Sequence, residues 1–275
     1  MFNTLTAVII LALIQGLCEF LPISSSGHLV LAQAFFGFKE PEIIFDLVLH
    51  LGTLLAVVYF YRVSLLKLLR ALKLIPSALL SLNRLAFLYS TNPDFRLGSL
   101  IVIGSVPTAL TGLIFQDFLR SLFSSLQAVA VALLITALVL ASSALKKLNP
   151  QESVFDLTII KALLIGLAQG AAIAPGLSRS GLTIVCALWL GLGRELAAKY
   201  SFLLSIPAII GGLLLSLNFG QSNSFSFNFL LIGLVVAALT GYLSLRLLTA
   251  LVARNRLPLF SLWCAAMGLA ALYFN

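Results

Sequence analysis

The sequence predicts an all-α integral membrane protein with six transmembrane helices and two re-entrant pairs of short, broken helices, arranged as an inverted-topology repeat. Of its 275 residues, 61% are hydrophobic and 9% are charged, with a mean hydropathy of +1.12. Soluble domains carry about 25% charged residues. Apolar runs alternate with basic loops, and a short polar motif interrupts the apolar sequence once in each half.

The first polar motif runs from Gln15 to His28 and reads QGLCEFLPISSSGH. It places Glu19, His28 and three serines inside apolar sequence. An ionisable group in hydrocarbon costs about 2.5–3.5 kcal/mol, so such groups usually face a protein-lined cavity and mark a site. Pro22 interrupts the helix, and the Ser-Ser-Ser-Gly run can cap a new helix that we expect to start near His28.

The second polar motif repeats the spacing of the first without a gap. In each copy a Gln-Gly pair is followed, after seven residues, by Ser-x-Ser-Gly: Gln15, Gly16, Ser24, Ser26 and Gly27 in one copy, and Gln169, Gly170, Ser178, Ser180 and Gly181 in the other. Pro175 supplies the second break. Arg179 takes the place of Ser25, and Ile173 the place of Glu19, so one copy brings an acid and the other a guanidinium.

The elements follow from segment length, because a bilayer core needs about 20 apolar residues as a helix. Segments 4–18 and 29–36 are too short to cross and form the first re-entrant pair. Segments 162–174 and 182–192, around a break at 175–181, form the second pair. The predicted spans are the longer apolar stretches 45–61, 97–115, 126–145, 200–217, 229–251 and 257–273.

The loops set the orientation. Between 62 and 96 the basic residues are Arg62, Lys67, Arg70, Lys73, Arg84 and Arg96, against the single acid Asp94. Residues 63–74 favour an amphipathic helix on the membrane surface, and basic loops face the cytoplasm. We expect a polar loop at 39–42, a short loop carrying Asp117 and Arg120, cytoplasmic lysines at 146–147 and an uncharged outer loop at 218–228.

The number of predicted spans between the two motifs implies that the motifs enter the membrane from opposite faces. The chain is then one polytopic domain, 1–275, built from repeats at about 1–148 and 157–275. Broken helices of inverted repeats meet near the bilayer midplane and form the site there. The net charge of +8 lies in loops between apolar segments, so nucleic acid is not expected as a partner.

If the two breaks converge, their side chains form a cradle for an anion. Arginine, helix N-termini and serine-rich turns suit phosphate oxygens. The hydroxyls are those of Ser24, Ser25, Ser26, Ser178 and Ser180. Glu19 and His28 supply a base, an acid or a pair of metal ligands.

Several readings stay open at this point. Glu19 and Arg179 could form a structural ion pair, and His28 could serve as a capping or packing residue. Gln15 and Gln169 are typical of hydrogen bonds between helices as well as of ligands. A further pair, Asp46 and His50, lies one helical turn apart and could join the site or only bond each other.

The chain resembles the undecaprenyl-diphosphate phosphatases, the bacitracin-resistance membrane phosphatases of bacteria. The resemblance is carried by residues 15–28, by the Pro-Gly-Leu-Ser-Arg-Ser-Gly run at 175–181 and by the segments 45–57 and 200–210 that follow each motif. It implies removal of the terminal phosphate of undecaprenyl diphosphate in the bacterial cytoplasmic (inner) membrane, with the active site toward the outer face. The product would re-enter peptidoglycan synthesis.

The resemblance also implies roles for single residues. The catalytic set would be Glu19, His28, Ser25 and Arg179; the substrate-binding set Ser24, Ser26, Gly27, Ser178, Ser180 and Gly181; and the metal ligands Glu19 and Gln15, holding Mg²⁺ or Ca²⁺. It does not decide between Ser25 and His28 as the nucleophile. The first motif position is often glutamate in that family and is Gln15 here, which removes a carboxylate ligand.

Two functions from different classes follow. The first is a lipid diphosphate phosphatase acting on a polyprenyl lipid that dissolves in the membrane. The alternative is a transporter or flippase of a phosphorylated polyprenyl lipid or anion, since broken helices in inverted repeats are typical of secondary transporters. The sequence leaves open whether the protein forms a homodimer.

Overall fold

The structure is a computed structural model that describes residues 4–37, 43–76, 81–145, 153–216 and 225–273. Within these ranges the regular structure is helical and contains no β-strand. The helices are α1 (Thr4–Phe20), α2 (Ser25–Phe36), α3 (Ile43–Phe60), α4 (Arg62–Leu72), α5 (Leu82–Thr91), α6 (Pro93–Ile114), α7 (Gln116–Phe123), α8 (Leu126–Ser142), α9 (Ile159–Ala171), α10 (Arg179–Trp189), α11 (Arg194–Ser216), α12 (Phe227–Ala253) and α13 (Leu259–Tyr273).

Four helical segments of the described chain are long and apolar enough to cross a membrane. They are α6, α8 with the turn that extends it to Leu145, α11 and α12. A fifth span results if α3 and α4, which bend by 80° at their junction, are one unit. The remaining predicted span, 257–273, corresponds to the 15-residue apolar helix α13. The all-helical membrane architecture is therefore confirmed, while the count of six spans stays a prediction.

Helix α4 corresponds to the amphipathic helix predicted at 63–74. Leu65 and Leu68 on one side pack against the main hydrophobic core, whereas Val63, Leu66 and Leu69 are exposed. The sharp bend after α3 turns this helix away from the axis of the preceding apolar helix. Its position on a membrane surface stays a prediction.

Several helices begin before the predicted segments. Helix α6 begins at Pro93 rather than at 97, since the Asn92 side chain accepts hydrogen bonds from the backbone N–H groups of Asp94 and Phe95. Helix α11 begins at Arg194 rather than at 200. Helix α2 begins at Ser25 rather than near His28, because the first serine of the predicted capping run, Ser24, is the cap.

The segment between α6 and α8 was predicted as a loop and is the short helix α7. Asp117 lies in its first turn, where a carboxylate interacts favourably with the helix dipole. Helix α5, over 82–91, was not predicted at all. The predicted loops at 39–42 and 146–147, and the part of the outer loop at 218–224, lie outside the described residues.

Small residues let the broken helices approach the long ones closely, as is common between membrane helices. A Cβ atom added to Gly16 of α1 would lie 2.8 Å from the carbonyl oxygen of Ala237 and 2.9 Å from the backbone nitrogen of Gly241, both on α12. A Cβ atom added to Gly170 of α9 would lie 2.6 Å from the hydroxyl of Thr111 on α6. Each broken helix therefore packs against a long helix of the other half of the chain.

Gly16→Ala is expected to destabilise the protein by about 1–3 kcal/mol, because the methyl group meets backbone atoms of α12 that cannot move aside. The matched control is Gly211→Ala in α11, where nothing lies within 4 Å of the added carbon. Thermal unfolding in one detergent measures both. Equal midpoints for the two variants would contradict the close approach of α1 and α12.

Candidate active site

The first break lies between α1 and α2. Ser24 caps α2: its hydroxyl accepts a hydrogen bond of 3.2 Å from the backbone N–H of Gly27. Its φ of 70° is in the left-handed region, which is uncommon for residues other than glycine and tends to occur at functional sites. The cap makes Ser25 the first residue of a helix N-terminus.

The second break lies between α9 and α10 and has the same local chemistry. Ser178 caps α10, and its hydroxyl accepts a hydrogen bond of 3.1 Å from the backbone N–H of Gly181. Gly176 turns the chain with a φ of 93°. Arg179 is thereby the first residue of α10, the position that Ser25 holds in α2.

The two breaks pack directly against each other. A Cβ atom added to Gly27 of the first break would lie 3.0 Å from Cα of Gly176 in the second. A Cβ atom added to Gly181 would lie 3.3 Å from Cβ of Pro22. The predicted convergence is confirmed, and the N-termini of α2 and α10 meet there. First-turn N–H groups lack intrahelical acceptors and favour an anion.

Glu19 is the centre of the cluster. One carboxylate oxygen, Oε1, forms an ion pair with Arg179 from the second break. The other, Oε2, accepts hydrogen bonds from the Ser25 hydroxyl at 2.6 Å and from the Gln15 amide nitrogen at 3.0 Å. The side chains of Glu19 and Arg179 are 6% and 15% exposed. The site thus joins a buried carboxylate, a hydroxyl and a guanidinium drawn from both halves of the chain.

Two buried polar atoms of this cluster have no hydrogen-bond partner among the described residues: Nη1 of Arg179 and Oε1 of Gln15. Buried polar groups are nearly always bonded, so such atoms call for an explanation, for example a missing ligand or water. One is a donor with positive charge and the other is a neutral acceptor. The pair suits a site that receives an anion and a cation together.

Within the described part of the chain, the hydrogen bonds of His28 go to neither Glu19 nor Arg179. Its Nδ1 lies 2.8 Å from the carbonyl oxygen of Ser24 and therefore carries the proton and donates it. Its Nε2 accepts a hydrogen bond of 2.9 Å from the indole N–H of Trp263 on α13. Both ring nitrogens are engaged, an arrangement typical of the capping and packing role that the sequence left open.

His50 is the histidine that reaches Glu19. Its Nε2 lies 3.7 Å from Oε2 of Glu19, and its Nδ1 lies 2.7 Å from the carbonyl oxygen of Asp46. The Asp46 carboxylate accepts a hydrogen bond of 2.8 Å from Gln33. The sequence left open whether Asp46 and His50 join the site or only bond each other, since nothing in the spacing shows which face of α3 packs on α1. In the structure, His50 approaches Glu19.

Of the other predicted residues, Gln169 joins helices, and the serines lie in pairs at the two breaks. The Gln169 amide donates to the Thr108 hydroxyl at 3.2 Å and to the carbonyl oxygen of Leu204 at 3.3 Å. Gln169 therefore connects α9 to α6 and α11. The hydroxyls of Ser24 and Ser26 lie 3.4 Å apart, and those of Ser178 and Ser180 lie 3.3 Å apart.

Thr136 on α8 was not found from the sequence. Its hydroxyl donates to the carbonyl oxygen of Gly176 at 3.0 Å and accepts from the backbone N–H of Ser178 at 3.1 Å. These bonds hold the second break just before Arg179. The only sequence signal was one threonine in the otherwise apolar stretch 128–141.

Thr136→Val is expected to lower activity because the valine cannot hold the turn that places Arg179. It also leaves a buried carbonyl and a buried N–H unpaired, at a cost of about 1–3 kcal/mol each. The control is Thr249→Val, since the Thr249 hydroxyl bonds only carbonyls of its own helix α12 in the described structure. Thermal unfolding and turnover measure the effect; wild-type values for Thr136→Val would contradict this role.

The chain is similar to known proteins over almost its whole length. A family profile described as "Bacitracin resistance protein BacA" matches residues 8–270. An undecaprenyl-diphosphatase of Desulforapulum autotrophicum is 40% identical over 266 residues, covering 96% of each sequence. One of Methanosphaera stadtmanae is 38% identical over 279 residues, covering 100% of this chain and 99% of the relative. One of Korarchaeum cryptofilum is 40% identical over 268 residues, covering 96% and 97%.

Proposed function

Because this chain belongs to the bacitracin resistance protein BacA family, we propose that it removes the terminal phosphate of undecaprenyl diphosphate and releases undecaprenyl phosphate. The relatives that are similar over almost their whole length carry the name of that activity. The reaction would recycle the lipid carrier of peptidoglycan synthesis and confer resistance to bacitracin.

The observation that carries the proposal is the triple contact of Glu19 with Ser25, Arg179 and Gln15 at the meeting point of the two breaks. A carboxylate that accepts the hydrogen bond of a serine hydroxyl at 2.6 Å is in position to act as its general base. Ser25 is therefore the nucleophile of the proposal. His28 is the less suitable candidate because both its nitrogens are bonded.

The reaction takes place in two steps. The Ser25 oxygen forms a bond to the terminal phosphorus, the bond from that phosphorus to the bridging oxygen breaks, undecaprenyl phosphate leaves, and Glu19 takes the serine proton. The oxygen of a water molecule then forms a bond to the phosphorus, the bond from phosphorus to the Ser25 oxygen breaks, and inorganic phosphate leaves with the oxygen and protons of the water, while Glu19 returns its proton to the Ser25 oxygen. The proton transfers of this route need only groups that lie around Glu19.

Arg179 is the phosphate-binding residue of the proposal. Its Nη2 bonds Glu19, while its buried Nη1 has no partner among the described residues and is available to a phosphate oxygen. The N-termini of α2 and α10 add backbone N–H groups on the same side. Ser24, Ser26, Gly27, Ser178, Ser180 and Gly181 form the first turns and caps that surround the phosphate in this proposal.

A divalent cation, Mg²⁺ or Ca²⁺, belongs to the proposal through Glu19 and Gln15. The described residues contain no group of three His, Cys, Asp or Glu side chains that could hold a metal. The unpaired amide oxygen of Gln15 beside Glu19 supports a cation nevertheless, because amide and carboxylate oxygens are suitable ligands for hard cations. When bound, the cation would neutralise phosphate charge.

We also propose six spans and an inverted repeat of residues 1–148 and 157–275, within the cytoplasmic membrane and with the site toward its outer face. The equivalent caps Ser24 and Ser178 support the repeat. The packing of α1 on α12 and of α9 on α6 also supports the repeat, because each first helix of a break packs on a long helix of the other repeat. A single chain supplies both breaks, so a homodimer is not needed for the site.

Phosphate release from undecaprenyl diphosphate by the purified protein tests the function. Release is expected with Mg²⁺ or Ca²⁺ and is expected to stop with chelator. No release under any metal condition by folded protein would contradict hydrolysis. Lipid flipping in vesicles would then be measured, because the broken helices also suit a transporter.

A further inference from the structure

We propose that His50 is a ligand of the divalent cation, together with Glu19 and Gln15. This inference rests on the metal dependence included in the proposed function. It starts from Nε2 of His50, which lies 3.7 Å from Oε2 of Glu19.

The orientation of the ring supports a metal ligand. Nδ1 faces the carbonyl oxygen of Asp46 at 2.7 Å, so it carries the proton, and the lone pair of the neutral ring is on Nε2. Metal-binding histidines usually donate their other N–H to a carbonyl or carboxylate, which fixes the tautomer and the ring. The lone pair is therefore held toward Glu19.

The distance between His50 and Glu19 also supports a shared metal ion. Two acceptors, the Nε2 lone pair and the Glu19 carboxylate, face each other at 3.7 Å, which is too long for a hydrogen bond. Nitrogen and oxygen ligands about 2.0–2.2 Å from one metal ion lie about 3.0–3.5 Å apart at usual angles. A shift of a few tenths of an ångström would bring the two atoms to that separation.

Gln15 completes the set. Its Oε1 is buried without a partner among the described residues, while its Nε2 lies 3.0 Å from the same Glu19 oxygen. Turning the amide about its last bond would place an acceptor oxygen where the nitrogen is now. The donor set is then one carboxylate oxygen, one amide oxygen and one imidazole nitrogen. The imidazole nitrogen favours Zn²⁺ over Ca²⁺.

The chain contains two histidines, which gives the test a matched control. Tag-free, full-length protein in detergent would be loaded with Mn²⁺ and its electron spin echo modulation recorded for coupling to ¹⁴N of imidazole. We expect coupling in the wild type and in His28→Gln, since the nitrogens of His28 are already bonded. We expect no coupling in His50→Gln, together with Mn²⁺ binding weakened at least about tenfold.

Absence of nitrogen coupling in the wild type, absence of Mn²⁺ binding, or coupling that is lost in His28→Gln and kept in His50→Gln would overturn the proposal. If His50→Gln does not fold, the wild-type and His28→Gln spectra still decide. Phosphate release without nitrogen coupling would remove His50 from the metal site and leave the function standing. Nitrogen coupling without phosphate release would keep His50 in the metal site and contradict the proposed hydrolysis.

Discussion

Replacing Glu19 by glutamine is expected to lower phosphate release from undecaprenyl diphosphate by about 10²–10⁴-fold. The amide keeps the size of the side chain and can still accept a hydrogen bond from Ser25. It cannot take the serine proton, and it loses the charge that pairs with Arg179. Turnover at saturating substrate measures the effect.

The control for this variant is Glu195→Gln, which removes an exposed carboxylate in the first turn of α11, and near wild-type turnover is expected. Retained hydrolysis in Glu19→Gln would contradict the role of Glu19 as base. Lost hydrolysis with retained lipid flipping would separate the two functions and assign Glu19 to the chemistry alone. An anion transporter would tolerate the neutral residue, since Glu19 repels an anion.

Replacing Arg179 by lysine is expected to reduce turnover by about ten- to a hundredfold. Lysine keeps the positive charge beside Glu19, but it cannot bond Glu19 and a phosphate oxygen at once with the planar fork of a guanidinium. Loss of one charged hydrogen bond of about 1.5–3 kcal/mol gives an effect of this size. Inhibition by inorganic phosphate should weaken in parallel.

Arg62→Lys is the matched control, because Arg62 is exposed on α4 and bonds a backbone carbonyl of Tyr59. Its turnover should equal that of the wild type. Near-normal turnover and phosphate inhibition in Arg179→Lys would mean that only the charge at this position matters. The unpaired Nη1 atom would then have no part in binding.

The long apolar helices and the two breaks could be predicted from the sequence because both have strong local causes. A bilayer demands long apolar helices, and proline, glycine and serine determine where a helix stops and the next one starts. The ion pair of Glu19 with Arg179 was open to prediction too, since the repeated motif puts a carboxylate in one break and a guanidinium in the other.

Contacts made by packing between distant helices could not be predicted. The bond from Trp263 to His28 joins α13 to α2, and the approach of His50 to Glu19 joins α3 to α1. Neither leaves a pattern in the sequence, because the rotation of each helix about its axis is decided by neighbours far along the chain. For this reason the motif favoured His28, whereas the fold brings His50 to the carboxylate.

In the proposed reaction Ser25 attacks the terminal phosphorus while Glu19 takes its proton. To find the phosphorylated residue, the protein is mixed with undecaprenyl diphosphate labelled in its terminal phosphate and quenched rapidly in denaturant at neutral pH, which preserves both phosphoserine and phosphohistidine. Peptide mass spectrometry then locates the label. We expect label on Ser25 within the first turnover and none in Ser25→Ala. Label on His28, or product formed in that time without any labelled serine, would contradict it.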